Sequence, residues 1–369
     1  LGGIVKIGII GLSNAGKTTI FNALTGQNLE TTLYATVSGE PSYGVVKVPD
    51  RRIDELSAIY KPKKITYATV EYVDYLGLTK GDVAQNRKVF DLIKDVDAIV
   101  HVVRAFQDDT VMHPLQTVDA LRDLETLELE LIFGDLEFVE KRLERIAEAA
   151  KKGKKPSDEE KKLLEKCREA LEKEIPLRSV DFSEDEMKTM RHMQFVSMKP
   201  EVIVLNIAED MLNTDAAVLL QTTAEGYFSG KGSAATTRVV TLCGKVEMDI
   251  AQLDDEDAKA FLEDLSIAEP ALNKLIHVSY ELLGLISFLT SGEDEVRAWT
   301  IRKGLFAQQA AGKIHSDIER GFIRAEVVSY DDFMADGSMA TARDKGHLRL
   351  EGKTYVVRDG DIINFRFNV

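Results

Sequence analysis

The chain has 369 residues, which is long enough for two or three domains and a sizeable hydrophobic core. Its 44% hydrophobic and 30% charged residues exclude the disordered and fibrous classes of protein. The net charge of −15 excludes a protein that is basic throughout, so any contact with nucleic acid must come from a local basic patch.

Two features of the composition concern the cellular compartment. The cysteines Cys167 and Cys243 lie far apart and form no C-x-x-C pair, which is typical of free thiols in a reducing compartment. No apolar run approaches the roughly 18 residues of a membrane-spanning helix. We therefore expect a soluble, cytoplasmic protein with no membrane partner.

The first part of the chain alternates between strand-like and helix-like segments. Residues 4–10 form an apolar run typical of a buried parallel strand, and after a turn at 11–18 a helical segment ends at Gly26. This alternation predicts an α/β fold with a doubly wound, mostly parallel sheet. Further strands are predicted at 43–48, 68–74, 97–103, 201–206 and 236–242.

The alternation stops between about residues 130 and 195. Apolar residues there follow a heptad pattern, which is typical of paired helices. A turn-forming stretch at 151–156 (KKGKKP) precedes a second amphipathic run that stops near Pro176, so the pattern predicts an inserted antiparallel helical hairpin. It leaves open whether the hairpin is a structural spacer or a docking arm with a lysine-rich tip. The apolar positions of its first helix are Ile132, Leu136, Val139, Leu143, Ile146 and Ala150.

Short strand-like pieces after residue 280 predict a small mixed domain at the C-terminal end. The predicted domains are a nucleotide-binding domain at 1–130 and 198–280, the hairpin at 131–197, and the C-terminal domain at 281–369.

The segment GLSNAGKT (residues 11–18) matches the phosphate-loop pattern G-x-x-x-x-G-K-[ST] between a predicted strand and helix. Its glycines let backbone amides surround phosphate oxygens at the helix N-terminus. Lys17 is placed to bind the β- and γ-phosphates and is a candidate catalytic residue, and the Thr18 hydroxyl is placed to bind Mg²⁺. The candidate nucleotide contacts are Ser13, Asn14, Ala15, Gly16, Lys17, Thr18 and Thr19.

Asp74 and Gly77 form the spacing D-x-x-G at the end of a predicted strand. The carboxylate is expected to hold magnesium through water, and the Gly77 amide to contact the γ-phosphate. Many GTPases follow this glycine with a glutamine that orients the attacking water, but this chain has Leu78. Hydrolysis is therefore slow, or another group positions the water. His113 is the candidate for that role, and the alternative is an exposed loop histidine.

The amide of Asn14 is also a candidate ligand for K⁺, which would neutralise charge in the transition state.

Base recognition is predicted at NIAE (residues 206–209). Guanine-binding proteins use an aspartate at the last position of N-K-x-D, where its two oxygens accept hydrogen bonds from guanine. Glu209 is one methylene longer, Asn206 suits either purine, and Ile207 offers only apolar contact. The segment therefore favours ATP or relaxed base specificity, unless it is merely a strand end followed by a helix.

These residues resemble the Obg-like ATPases, the YchF subfamily of P-loop NTPases, over essentially the whole chain. The resemblance rests on GLSNAGKTTIFNALT, on DAIVHVVRAF and on the segment from EVRAWTIRKG to the end. It implies a coiled-coil hairpin, a C-terminal TGS domain with a β-grasp fold, and ribosomes or ribosomal RNA as partners. It also implies ATP binding through Asn206 and Glu209, and a role in hydrolysis for His113.

The first switch, LYATVSGEPS, departs from the family pattern. An ungapped match places Ser38 on the magnesium ligand, whereas residue type favours Thr36.

The leading hypothesis is a monomeric switch that hydrolyses Mg²⁺-ATP slowly on ribosomes and binds no DNA. The alternatives are a GTPase with relaxed base specificity and a nucleotide-sensing scaffold with negligible turnover.

Overall fold

The computed structural model describes residues 4–29, 40–153 and 157–368. Contacts divide the chain into two compact units. The larger unit comprises Val5–Gly44 and Glu71–Leu275, and the smaller unit joins Val45–Val70 to the C-terminal residues from Ile276 onward. The domain bounds expected from the sequence remain a prediction.

The strands in chain order are β1 (Lys6–Ile10), β2 (Ser42–Lys47), β3 (Lys64–Thr66), β4 (Thr69–Asp74), β5 (Ala98–Ala105), β6 (Glu201–Ile207), β7 (Thr237–Leu242), β8 (Leu285–Thr290), β9 (Glu295–Arg302), β10 (Phe322–Ser329), β11 (Arg349–Glu351) and β12 (Asp361–Phe367).

The helices are α1 (Lys17–Thr25), α2 (Arg51–Tyr60), α3 (Val83–Ile93), α4 (Ala120–Lys151), α5 (Asp158–Glu172), α6 (Glu184–Met190), α7 (Asp215–Gly230), α8 (Gly244–Gln252), α9 (Asp255–Asp264), α10 (Ala271–Leu282), α11 (Ala307–Ile314), α12 (Ser316–Arg320), α13 (Tyr330–Asp336) and α14 (Met339–Asp344). Short 3-10 turns lie at Leu177–Ser179 and Glu209–Met211.

The first sheet has the strand order β2-β4-β1-β5-β6-β7. Strands β4, β1, β5, β6 and β7 pair in parallel, which confirms the predicted α/β fold with a mostly parallel sheet. Every residue of β6 is buried, as in a central strand covered by helices on both faces. Because parallel strands end at one edge, the carboxyl ends of β1, β4 and β6 meet there, and ligands of doubly wound folds bind at this edge.

Helices α4 and α5 form the predicted antiparallel hairpin. Arg142 of α4 and Glu160 of α5 form an ion pair near the turn, as expected for antiparallel helices. Helix α4 begins at Ala120, well before the predicted start of the hairpin, and its first turns pack on β5. Helix α4 thus packs on the sheet with its first turns and continues from there as the first helix of the hairpin. The seam between its helices contains Ile132, Leu136, Val139, Leu143, Ile146, Leu163, Leu164, Cys167 and Leu171.

The smaller unit contains a mixed sheet with the order β11-β10-β12-β8-β9-β3. Strand pairs β8–β9, β10–β12 and β10–β11 are antiparallel, and β12–β8 and β3–β9 are parallel. One face packs on α11 through a core that includes Phe288, Ala325, Val327 and Phe365. Strand β3 joins this sheet although it lies far upstream in sequence. No helix of the described residues is long and apolar enough to cross a membrane.

Candidate active site at the phosphate loop

The phosphate loop connects β1 to α1 in a backbone conformation that requires glycine. Gly16 has a φ of 92°, and a Cβ there would collide with the Asn206 amide. A Cβ at Gly11 would collide with the Val102 carbonyl. Asn14 also adopts a left-handed conformation, with φ 63°. The loop thus takes the tight path that brings backbone amides to the start of α1, as phosphate binding requires.

Lys17 lies beneath this loop rather than in solvent. Its ammonium donates a hydrogen bond to the Leu12 carbonyl over 3.0 Å. Burial lowers the pKa of Lys17, and the nearby charge of Asp74 opposes this shift. Gly77 of the D-x-x-G segment packs directly on the loop, since a Cβ there would lie 2.8 Å from Ser13 Oγ and 3.0 Å from Lys17 Nζ. The structure therefore brings Lys17 and Gly77 together as predicted, with their roles toward nucleotide still predictions.

The magnesium site expected at Thr18 and Asp74 is built of oxygen atoms. The Thr18 hydroxyl donates to Asp74 Oδ2 over 2.8 Å, and Asp74 Oδ1 is buried with no hydrogen-bond partner among the described residues. Burial raises the pKa of Asp74, while Lys17 and the Thr18 hydroxyl oppose the shift. Hard oxygen ligands beside a phosphate loop suit Mg²⁺, which takes few protein ligands when it also binds phosphates. These residues therefore fit the metal.

Thr36 and Ser38, the two candidates for a further magnesium ligand, lie outside the described residues. Across 4–29, 40–153 and 157–368, no group of three or more His, Cys, Asp or Glu side chains could hold a metal. The fit of the metal thus depends on Thr18, Asp74 and a bound nucleotide together.

Leu78, the residue in place of a water-positioning glutamine, points into the core. Its side chain is fully buried in a cluster with Leu12, Val73 and Phe90. Its backbone N–H donates to the Gly11 carbonyl over 3.0 Å, which holds the segment against the phosphate loop. A side chain at this position is therefore directed away from the phosphate site in this conformation.

His113 is buried, so the alternative of an exposed loop histidine does not describe this structure. Its Nδ1 accepts a hydrogen bond from the Leu115 N–H over 3.1 Å, and its Nε2 lies 2.7 Å from Asp123 Oδ2. The ring lines a small pocket that also includes Ser13 and Ala15 of the phosphate loop. His113 is thus near the loop, but both of its ring nitrogens contact protein atoms. Its part in hydrolysis remains a prediction.

The loop that carries His113 is held by a residue that the sequence analysis did not identify. Arg104, buried at the end of β5, donates to the carbonyls of Phe106, Asp108 and Val111 over 3.0–3.2 Å. The sequence feature that could have indicated this role is an arginine near the end of an apolar strand (HVVRAF). The Asn14 side-chain amide donates to the Met112 carbonyl over 2.9 Å and so ties the same loop to the phosphate loop. Potassium binding at Asn14 remains a prediction.

Asn206 connects two backbone segments of the site. Its Nδ2 donates to the Ala15 carbonyl over 3.0 Å, and its Oδ1 accepts from the Gly244 N–H over 2.9 Å. The side chain is buried, and a Cβ at Gly244 would lie 3.2 Å from its oxygen. Asn206 therefore holds the phosphate loop to the start of α8, a role that the sequence analysis did not predict. The sequence feature that could have indicated the contact with Gly244 is the Cys-Gly-Lys stretch (243–245) that follows β7.

Ile207 and Glu209, the two other predicted base contacts, occupy different environments. Ile207 is buried in an apolar cluster with Cys243 and Val246, and its apolar contact with a base remains a prediction. Glu209 is exposed, with Oε2 3.8 Å from Lys245 Nζ. Within the predicted segment, Glu209 thus has an exposed carboxylate whose ion pair with Lys245 is long. Thr19 is partly exposed in the first turn of α1.

Two family models match parts of the chain, and relatives match it almost end to end. Residues 6–133 match the family described as 50S ribosome-binding GTPase, and residues 285–368 match the YchF-GTPase C-terminal family, described as a protein of unknown function (DUF933). The chain is 44% identical to the protein named ribosome-binding ATPase YchF of Bacillus subtilis, over 98% of this chain and 99% of that relative. It is 41% identical to the protein of the same name from Escherichia coli O157:H7, over 99% of both chains.

A solved structure, described as that of the Schizosaccharomyces pombe YchF GTPase, superposes with a TM-score of 0.79 at 31% identity, covering 99% of this chain and 98% of that one. The agreement of sequence and structure extends over both compact units and confirms the expected relation to YchF, while the wider Obg-like assignment remains a prediction. That the smaller unit is a TGS domain remains a prediction. The chain belongs to the YchF family.

Proposed function

We propose that this chain is a nucleotide-dependent switch that binds Mg²⁺-ATP, hydrolyses it slowly and associates with ribosomes. The observation that carries the proposal is the convergence of Lys17, Gly77 and the Thr18–Asp74 pair on one phosphate loop. A loop of this kind binds the phosphates of a nucleotide through backbone amides and one lysine.

Each group of the site has a distinct proposed part in binding. The amides of residues 14–19 and the Lys17 ammonium hold the phosphates, and Gly77 contacts the terminal phosphate from the opposite side. Thr18, Asp74 and either Thr36 or Ser38 would hold Mg²⁺. When bound, the metal neutralises phosphate charge and orients the phosphates. In the structure Lys17 donates to the Leu12 carbonyl and Thr18 to Asp74, and we expect phosphate and Mg²⁺ to compete with these partners.

Slow turnover is supported by two side chains that are not free to position a water molecule at the phosphate site. Leu78 lies in the core, and His113 contacts Asp123 and the Leu115 N–H. For His113 to position water, the loop that carries it must first release the ring. We expect phosphate release in a single turnover at or below about 10⁻² s⁻¹, the range of P-loop NTPases without an accelerating partner.

The preference for ATP is supported by Glu209. Asn206 is committed to the Ala15 carbonyl and the Gly244 N–H, so it holds the site together for either purine. Discrimination then rests on Glu209, whose longer side chain cannot keep the two-point contact that an aspartate makes with guanine. The loss of one charged hydrogen bond removes about 1.5–3 kcal/mol of guanine preference.

Ribosome association is supported by the names of the relatives, which are called ribosome-binding ATPases. Co-sedimentation with purified ribosomes tests it, with a non-hydrolysable ATP analogue, with ADP and without nucleotide. We expect more chain to sediment with the analogue than with ADP, and the Lys17→Ala variant to lose this difference. The absence of co-sedimentation in every nucleotide state would contradict the proposal.

A GTPase with relaxed base specificity is the second candidate function, favoured by the match of residues 6–133 to a GTPase family. A scaffold that senses nucleotide without meaningful turnover is the third. Comparison of ATP and GTP affinities separates the first two. Single-turnover phosphate release separates both from the scaffold, which would bind nucleotide and release no phosphate.

A further inference from the structure

Three arginines surround one buried carboxylate on the sheet of the smaller unit. Arg366 Nη2 lies 3.1 Å from Glu326 Oε2, and the guanidinium groups of Arg324 and Arg343 lie 3.9 Å from the Glu326 oxygens. The Glu326 side chain is 6% exposed, whereas the three arginine side chains are 51–62% exposed. Arg366 and the other two guanidinium groups lower the pKa of Glu326, so this carboxylate is ionised near neutral pH.

The strand register explains why these residues meet. Arg324 of β10 lies opposite Arg366 of β12, and Glu326 lies opposite Asn364 on one side and Leu350 of β11 on the other. Side chains alternate between the two faces of a strand, and Ala325 belongs to the core under α11. Arg324 and Glu326 therefore point to the opposite face, where Leu350 is 59% exposed.

The arginines remain available to a ligand. Like charges directly opposite each other in a sheet are unfavourable, as Arg324 and Arg366 are here. Glu326 offsets one of the three positive charges and leaves a local charge of +2 on a chain whose net charge is −15. Within the described residues, the recorded hydrogen bond from these guanidinium groups is the one from Arg366 to Glu326, so most of their N–H groups face solvent.

Arg297, another arginine of the smaller unit, is not part of this patch. Arg297 stacks on the Trp299 ring, 3.7 Å from its centroid, and Trp299 packs against the core on the α11 face of the sheet. Arg343 and Arg366 are brought to Arg324 by the fold, although the three are spread over more than 40 positions of sequence. This grouping depends on the β10–β12 register and on the position of α14.

We propose that this arginine face, formed by Arg324, Arg343 and Arg366 around Glu326, binds the phosphate backbone of RNA. Guanidinium groups present paired N–H donors that match phosphate oxygens and are held in place by a shared carboxylate. None of Arg324, Glu326, Leu350, Asn364, Arg366 and Arg343 is aromatic, so the face contacts phosphates and does not stack on bases. The choice of RNA rests on the ribosome association proposed above.

Fluorescence anisotropy with a labelled RNA hairpin tests the inference on the full chain, between about 50 and 200 mM KCl. We expect the double variant Arg324→Gln/Arg366→Gln to bind about tenfold more weakly and the slope of log affinity against log salt to fall by about 2. Arg366→Lys should keep the salt slope and lose part of the affinity, since a lysine retains the charge but not the paired donors.

The matched control is Arg320→Gln, which removes an exposed arginine from α12 on the other side of the same sheet. It should leave RNA affinity unchanged. Thermal unfolding of each variant shows whether the unit is still folded. The single variant Arg324→Gln guards against misfolding of the double variant, because it removes an ion pair to Glu326 that is already 3.9 Å long. Equal losses for Arg320→Gln and Arg324→Gln would overturn the inference.

Two further outcomes assign failure to one proposal or the other. If the chain sediments with ribosomes and the arginine variants sediment and bind RNA as well as wild type, the arginine face is wrong and the proposed function stands. If RNA binding depends on the arginines but the chain never sediments with ribosomes, the proposed function fails and the face stands. Displacement of RNA by polyglutamate as effectively as by unlabelled RNA would show a site for acidic protein instead and would overturn the inference.

Discussion

The phosphate end and the base end of the proposed nucleotide site are built in different ways. At the phosphate end, backbone shape decides, and the residues that set it lie close together in sequence at 11–18. At the proposed base end, the side chains of Asn206 in β6 and of Glu209 in the following 3-10 turn decide, and Asn206 is already bonded to backbone on both sides. The structure of a motif that specifies backbone shape can therefore be predicted from sequence more directly than the structure of a motif that specifies a side-chain contact.

Substitution of Gly16 should give the largest effect on nucleotide binding. Gly16→Ala places a Cβ against the Asn206 amide at a φ of 92°, so the loop must distort. We expect ATP and GTP affinities to fall together by at least about 100-fold, about 2.7 kcal/mol. Isothermal titration measures this. The control is Gly26→Ala, at φ 67° with no atom within 4 Å of the new Cβ, which should bind nucleotide normally.

Asn206→Ala should lower the affinities for ATP and GTP to a similar degree, which would show that Asn206 supports both ends of the site. The change leaves the Ala15 carbonyl and the Gly244 N–H without their partner. Each unsatisfied buried group costs roughly 1–3 kcal/mol, so with two such groups the free energy of unfolding should fall by at least about 2 kcal/mol. Chemical denaturation and paired ATP and GTP titrations measure the two effects. A loss confined to ATP would mean that Asn206 itself reads the base.

Thr18→Ala should remove the part of nucleotide affinity that depends on magnesium. The Thr18 hydroxyl bonds to Asp74 in the free chain and is the proposed metal ligand. We expect ATP affinity in Mg²⁺ to fall by about tenfold, about 1.4 kcal/mol, and to become insensitive to EDTA. The control is Thr25→Ala, which removes from the same helix a hydroxyl that bonds to the Phe21 carbonyl. Full retention of the EDTA effect in Thr18→Ala would exclude Thr18 as a ligand.

Leu78→Gln should have the smallest effect on nucleotide chemistry, although the sequence suggests that it restores a missing group. The side chain would enter the cluster of Leu12, Val73 and Phe90. Burial of an unpaired amide costs roughly 1–3 kcal/mol of stability, and turnover should stay unchanged within about twofold. Single-turnover phosphate release beside thermal unfolding checks both. Faster hydrolysis would mean that this segment leaves the core when nucleotide binds.

Much of the fold was predictable because its signals are local. Apolar runs identified the strands of the first sheet, and the heptad positions of α4 identified the hairpin seam. The loop at 11–18 was identifiable because two glycines and a lysine at fixed spacing fix both its shape and its charge.

The features that sequence reasoning missed depend on contacts between distant segments. The surroundings of His113 were unpredictable because its partner Asp123 lies on the next element, and the anchoring of that loop required Arg104. The grouping of Arg324 with Arg366 required the β10–β12 register, which no local pattern specifies.

The role proposed for Glu209 is tested most directly by the ratio of ATP to GTP affinity, measured in Mg²⁺ for the wild-type chain and for Glu209→Asp. We predict tighter ATP binding by the wild-type chain and a shift of about tenfold toward GTP in the variant, because the shorter carboxylate regains two-point contact with guanine. Asn206→Ala should leave the ratio unchanged while it lowers both affinities. An unchanged ratio in Glu209→Asp, or tighter GTP binding by the wild-type chain, would contradict the claim that Glu209 sets the base preference.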